Sequence, residues 1–393
     1  MKIRLSLAAS ALALLATAAQ AAPYIPNNGS AVLERLPRRT DPLRQELQRM
    51  RAQLAASPND LALATRTAQR YISVARSETD PRYFGYAQAA LAPWWSLAAP
   101  PPEVRLLRAT LLQSTHHFPE ALQDLDAVIA ADPQNPQAWL TRATVQTVRG
   151  EYAAAAASCA RLAALADELI TLTCISGVAS MTGRSARSEA QLAATLHRNH
   201  EAEPDLQSWV LTLLAEMAAR RGDSAAAEAR FRRALSLSPR DSYLIGAYCD
   251  FLLDRRRARE VVELVKDQGR IDGLLLRHAL ALQQIPGQEA ALRAASAELG
   301  ARFDAAMQRG DSVHQREQAR YELHLRGDSK AALALARKNW TVQKESADIR
   351  ILLEAALKAG DKGAAAPALD WASKNKLEDV DVARLARQIA GKA

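Results

Sequence analysis

Two clusters in this chain carry residue types that could hold a metal or move a proton. His116 and His117 stand side by side, with Glu120, Asp124 and Asp126 just behind them. His197 and His200 follow further on, with Glu201 and Glu203 close after. Residues three apart on a helix share a face, so the second pair is the better placed to act together. Zinc takes four ligands in a tetrahedral array, and adjacent histidines on a tight turn point in different directions. The first cluster therefore reads as a polar turn, and the second as a solvated helix end with weak metal affinity at most. Neither is assigned a metal.

Glu317 with Glu354 is a third arrangement, the pair of carboxylates that glycoside chemistry would use as acid and base. No motif supports it. The chain lacks a G-x-S-x-G nucleophile turn, an H-E-x-x-H zinc helix, a phosphate-binding loop and a C-x-x-C pair. These residues predict a protein that is not an enzyme and uses no cofactor.

The elements that carry these residues recur at a fixed interval. Ala75, Ala109, Ala143 and Gly177 are each 34 residues apart, and Ala87, Ala121 and Ala155 run in step twelve residues behind. Where two helices cross, a bulky side chain would hold the backbones apart; alanine permits close approach without the helix cost of glycine. Pro102 to Asn135 spells out one unit, with Ala109 on a first helix, Phe118 and Ala121 on a second, and Asp132-Pro133 ending it. Pro136 opens the next, with Trp139, Ala143, then Gly150-Glu151-Tyr152 at the turn and Ala155 beyond. Ser208 to Asp241 gives a third, through Ala215, Gly222-Asp223, Ala227, Phe231, Ala234 and Pro239. The step from Gly177 to Ala215 is 38, so four residues are inserted near Asn199 to Pro204.

This period and these positions resemble the tetratricopeptide repeat. The resemblance implies an all-α fold, a right-handed superhelical solenoid of antiparallel helix pairs. It divides the chain into N-terminal helices with a degenerate repeat (residues 41–101), repeats over 102–275, and an irregular helical segment over 276–312. Two degenerate repeats and a capping helix then fill 313–393. In this family the first helix of each repeat lines a concave groove that binds a protein segment. Carried onto this sequence, the lining residues are Thr110, Thr144, Trp209, Thr212, Glu216, Arg220, Tyr243, Asp250, Glu317, Tyr321, His324 and Arg350. The lysine and asparagine clamp of the chaperone-binding members is missing, since Leu106, Thr110, Leu140 and Thr144 occupy its places. The mixed, amphipathic lining suits a protein or peptide segment.

The first residues bear on the compartment. Lys2 and Arg4, the apolar stretch from Leu5 to Ala19 and the triplet Ala19-Gln20-Ala21 have the order of a cleavable signal peptide (residues 1–21), cut after Ala21. A lasting span needs about 20 apolar residues, more than this core provides. The mature chain is thus expected to be periplasmic or secreted, with no stable membrane span. Residues 22–40 read as an extended arm. The net charge is +8, but signs alternate along the chain and no run resembles a nucleic-acid-binding arm, so no nucleic-acid partner is expected.

Three cysteines are an odd number for an oxidising compartment. Cys159 falls on the second helix of one repeat and Cys174 on the first helix of the next, about equally far from the turn near Ala166-Asp167. A disulfide between them is one reading; two small buried thiols is the other. Arg-Gly-Asp occurs at 221–223, 309–311 and 326–328, each time where glycine closes a helix and aspartate caps the next, which is turn chemistry and not an adhesion signal. Tyr83, Phe84 and Tyr86, with Trp94 and Trp95, form the densest aromatic run; Phe84 takes the repeat's packing position and belongs to the core. The reading that unites these features is an exported scaffold or adaptor of the cell envelope. A metal- or ligand-binding periplasmic protein and an accessory to an envelope glycan system are the other two.

Overall fold

The computed structural model describes residues 41–78, 80–310 and 314–391; the signal segment, the arm at 22–40 and Asp311 lie outside the described residues. Every regular element among them is helical. The chain begins with α1 (Pro42–Ala56), α2 (Leu61–Ser77), α3 (Arg82–Ala90) and the single turn α4 (Ala92–Trp95). Pairs follow: α5 (Pro102–Ser114) with α6 (Phe118–Ala131), α7 (Pro136–Val148) with α8 (Tyr152–Arg161), and α9 (Glu168–Ser180) with α10 (Ser185–Arg198). Next come α11 (Pro204–Arg220) with α12 (Ser224–Leu237), α13 (Ser242–Asp254) with α14 (Ala258–Val265), and α15 (Asp272–Gln283) with α16 (Glu289–Gln308). The C-terminal part holds α17 (Gln315–Tyr321), running on into a π turn at Glu322–Arg326, then α18 (Ser329–Val342), α19 (Ser346–Ala359), α20 (Ala366–Asn375) and α21 (Val380–Ile389). The helical segment expected from 276 begins inside α15, which packs on the long helix α16 as a hairpin.

The sequence explains where these helices start. Asp60, Asn135, Asp223, Asp241, Asp328 and Asp379 each accept a hydrogen bond from a backbone N–H two or three residues into the helix they open. Such a cap is worth about 1 kcal/mol. Pro102, Pro136 and Pro204 occupy first helical positions, where the missing N–H would have had no partner anyway. The Arg-Gly-Asp triplets at 221–223 and 326–328 are these turns, with Gly222 and Gly327 at positive φ and the aspartates capping α12 and α18.

The small crossing residues do what their size allows. Ala109, Ala143, Ala215 and Cys249 are buried on first helices, as are Ala121, Ala155 and Ala227 on second helices. One position breaks the second series. Twelve residues behind Gly177 stands Glu189, 5% exposed, whose two carboxylate oxygens bind Arg221 and Arg230 at 2.7 Å each. Phe84, expected in the core, is only half-buried; Tyr71 is the buried ring there, and Tyr83 and Tyr86 pack against it.

The apolar interior is not continuous to the C-terminus. One large core runs from Leu211 to Phe303 and ends on Tyr321, whose ring meets Phe303 and whose hydroxyl donates to the Ser296 carbonyl. A separate core holds the C-terminal part together, from Ala319 to Ile389, with Trp340, Ile349 and Leu353 at its centre.

Candidate functional site

The exposed stripe of the first helices can be read from their crossing residues. On α11, Trp209, Leu213, Glu216 and Arg220 follow at i, i+4, i+7 and i+11, a single helical face. On α13, one period later, the same face carries Tyr243, Ala247, Asp250 and Asp254. Trp209 is 41% exposed and Tyr243 60%, and Ile175, on the corresponding face of α9, is 38% exposed. These are three of the few large apolar side chains left open among the described residues.

Tyr243 nevertheless sits in a concave surrounding. Its hydroxyl donates to Glu216 Oε1 at 2.8 Å, and the Glu216 charge, followed by burial, pushes the phenol well above its ordinary pKa. Burial likewise raises the Glu216 carboxyl. Glu345 and Arg316, from the C-terminal part, also act on both groups.

The remaining residues expected along the groove divide into three sets. Thr110 and Thr212 are buried, and Thr110, Thr144 and Thr212 return their hydroxyls to their own helix, to the carbonyls of Leu106, Leu140 and Ser208. Thr212 lies one residue off the exposed stripe and so faces a neighbouring helix. Tyr321 is also no lining residue, because it closes the large core. These three positions are corrected to interior ones.

The charged set is real but already paired. Asp250 accepts from Arg277 at 2.5 Å and from Arg320 at 2.9 Å; burial would raise its pKa, and the two arginines outweigh burial and hold it far below the usual carboxylate range. Arg350 binds Asp254 through both terminal nitrogens, at 2.7 and 2.6 Å, and Glu354 through Nε at 2.9 Å. His324 Nε2 lies 3.2 Å from Glu354. Burial would raise Glu317 and Glu354 too, but Arg316 beside the first, and His324 with Arg350 beside the second, bring each to about 2. A glycoside acid must stay protonated near neutral pH. Neither carboxyl can serve as one, so the pair offers no acid for that chemistry.

The histidine clusters are placed plainly. His116 occupies the turn before α6 at positive φ, its ring stacked on Phe118 and its pKa lowered by burial, while His117 Nδ1 is 3.0 Å from Thr115 Oγ1. His197 and His200 line a shallow hollow of about 300 Å³ with Leu196, Gln207, Arg230 and Arg233. No group of three histidine, cysteine, aspartate or glutamate side chains able to hold a metal occurs among the described residues. Cys159 and Cys174 are bonded through sulfur with Cα atoms 5.6 Å apart, joining α8 to α9. Cys249 is free and buried, its thiol pushed up to about 12 by burial.

Sequence reasoning missed one feature altogether. The C-terminal part returns to the row of turns that link first to second helices. The Lys344 N–H donates to the Val148 carbonyl at 2.7 Å, the Tyr152 hydroxyl donates to the Lys344 carbonyl at 3.2 Å, and Trp371 packs on the Tyr152 ring. At the next turn the Ser185 N–H donates to Glu378 at 3.1 Å, and Gly183, at positive φ, lies so close to Lys376 that a Cβ there would come within 2.8 Å of the lysine Cβ. Val380 then covers Gly222 at the following turn, and Arg350 reaches Asp254 at the one after. The regular spacing of these turns was legible. That the chain would return to them was not.

Helix pairs stacked at this interval on small crossing residues, with one face of their first helices presented together, define an α-solenoid. Residues 178–305 match the family described as Tetratricopeptide repeat. Matching solved structures include a tetratricopeptide repeat protein from Parabacteroides merdae, at 13% identity over 80% of this chain and 99% of that one, TM-score 0.34. The APC/C hetero-tetramer Cut9-Hcn1 matches at 12% identity over 88% of this chain and 52% of that chain, TM-score 0.39, so this chain spans about half its length. The human IFIT1 dimer with m7Gppp-AAAA matches at 14% identity over 88% and 86%, TM-score 0.40. No curated protein matches the chain. No helix among the described residues is long and apolar enough to cross a membrane.

Proposed function

We propose that this protein is a cell-envelope scaffold that holds an extended segment of another protein along the exposed stripe of α9, α11 and α13. The observation that carries the reading is the placement of Trp209 and Tyr243. Two large aromatic side chains one repeat apart stay open on the same helix face, while every residue at the crossings beneath them is buried. Aromatic side chains bury 150–250 Å² each, about the largest payload a side chain offers, and they dominate binding hot spots. Glu216 and Arg220 supply polar partners on the same face. The signal-peptide order of residues 1–21 supports a place outside the cytoplasm.

Affinity capture from an envelope fraction tests the binding claim, using the intact chain and a Trp209→Ala/Tyr243→Ala variant. The bound protein is expected with the first and lost with the second; identical recovery by both forms overturns the reading. N-terminal sequencing of the mature protein tests export separately. A chain starting at Ala22 is expected, and a chain retaining Met1 would remove the envelope from the proposal.

A further inference from the structure

We infer that the C-terminal part, α17 to α21, is a clasp that docks reversibly along the row of interhelix turns and so controls access to the groove. The claim concerns the chain itself and stands whether or not the aromatic stripe binds a protein. Three observations converge on it.

The first is that the clasp has its own core, and the joint to the rest of the solenoid is narrow. It comprises the Tyr321 ring against Phe303, the Tyr321 hydroxyl on the Ser296 carbonyl, Leu325 against the large core, Gln283 Nε2 donating to the His324 carbonyl at 2.7 Å and Arg320 donating to Asp250 at 2.9 Å. The joint also coincides with the π turn at Glu322–Arg326, an irregularity that proteins place where helices bend or function. The second is the character of the docked surface. Apart from Trp371 and Leu377 packing on Tyr152 and its neighbours, and the side chains of Lys344, Lys376 and Val380 lying over Gly150, Gly183 and Gly222, the contacts to the turns are hydrogen bonds and ion pairs. A polar interface between units that each own a hydrophobic core is the kind that opens; a large apolar one would not. The third is position. Docking brings Arg320 onto Asp250 at 2.9 Å and Arg350 onto Asp254 at 2.6 Å, two residues of the face that carries Tyr243, so the clasp borders the groove. Opening it would uncover that face, and closing it would narrow the entry for any bulky occupant.

Small-angle scattering and thermal melting of the full chain across a salt series test this. Ion pairs that are partly exposed weaken as salt screens them, so the radius of gyration is expected to rise with salt and melting to separate into two transitions. Arg350→Gln should produce the same opening already at low salt. Arg302→Gln, which removes pairs to Asp272 and Glu298 within the α15 and α16 hairpin, should not. If the wild-type chain melts in one transition with unchanged dimensions at every salt concentration, the clasp is a fixed part of a single cooperative fold and the inference fails. That arm needs no substitution, so a misfolded variant cannot rescue or obscure it. Should the clasp open while the aromatic stripe captures nothing, the binding proposal alone falls.

Discussion

The repeats from α5 to α16 and the clasp from α17 to α21 use the same element, a helix pair on small crossing residues, yet they are held in different ways. Within the first region each pair buries its neighbours' apolar faces, so cohesion passes from repeat to repeat through one large core and smaller ones. The clasp is stacked at Tyr321 and is otherwise tied to distant turns by hydrogen bonds, ion pairs and the packing of Trp371 and Leu377 on Tyr152. The contrast teaches that in a solenoid the nearest-neighbour contacts set stability. The contacts between repeats far apart in sequence set shape.

The comparison breaks most severely at a buried ring. Phe231→Ala, at the centre of the large core, should cost about 3–5 kcal/mol and lower the first region's melting transition while leaving the clasp's in place; a uniform fall of both, seen by calorimetry, would show the two regions to be one cooperative unit. Reducing the bond between Cys159 and Cys174, which closes a loop of separation 15, should cost about 3 kcal/mol, again in the first region. Alkylation of unreduced, unfolded protein should label Cys249 alone.

Gly183 and Gly287 sharpen the contrast. Both have positive φ, at 71° and 82°, so alanine strains either by about 1–2 kcal/mol. Only at Gly183 does the added Cβ meet the clasp, whereas nothing lies within 4 Å at Gly287. Gly183→Ala should therefore raise the radius of gyration as well as lower stability, and Gly287→Ala should do only the second.

The acid limb offers a milder test. Glu354 has its pKa depressed from 4.5 to about 2 in the folded chain, so its stabilising contribution is present above its unfolded value and is lost as pH falls from about 4.5 towards 2. Glu354→Gln should flatten the clasp's loss of melting temperature over that window. Asp348 runs the other way. Burial raises its carboxyl, so its contribution is complete in acid and declines as pH climbs through its folded value.

The features read from sequence were those that physics imposes locally. A small residue at most crossings, an aspartate or asparagine opening a helix and a glycine closing one are all short-range requirements, and they mark where many of these helices start and stop. Groove residues were half legible. Trp209 and Tyr243 are exposed on a helix face that Glu216 and Arg220 share half-buried, but Thr212 sits about 100° round the helix from it, and Tyr321 fills the joint. The return of Lys344 to Val148 was beyond reach. It depends on small rotations summed over several repeats, and no residue near either end records that sum.

Glu189 carries a lesson about how such a chain can change. Its counterparts in the neighbouring repeats, Ala155 and Ala227, are alanines, so Glu189→Ala would match them in sequence. It would instead leave Arg221 and Arg230 facing a buried void with no anion. Replacing all three with apolar side chains should be tolerated far better than replacing the glutamate alone. The three positions therefore form a ratchet: each constrains the other two, and drift at any one of them must wait for the rest.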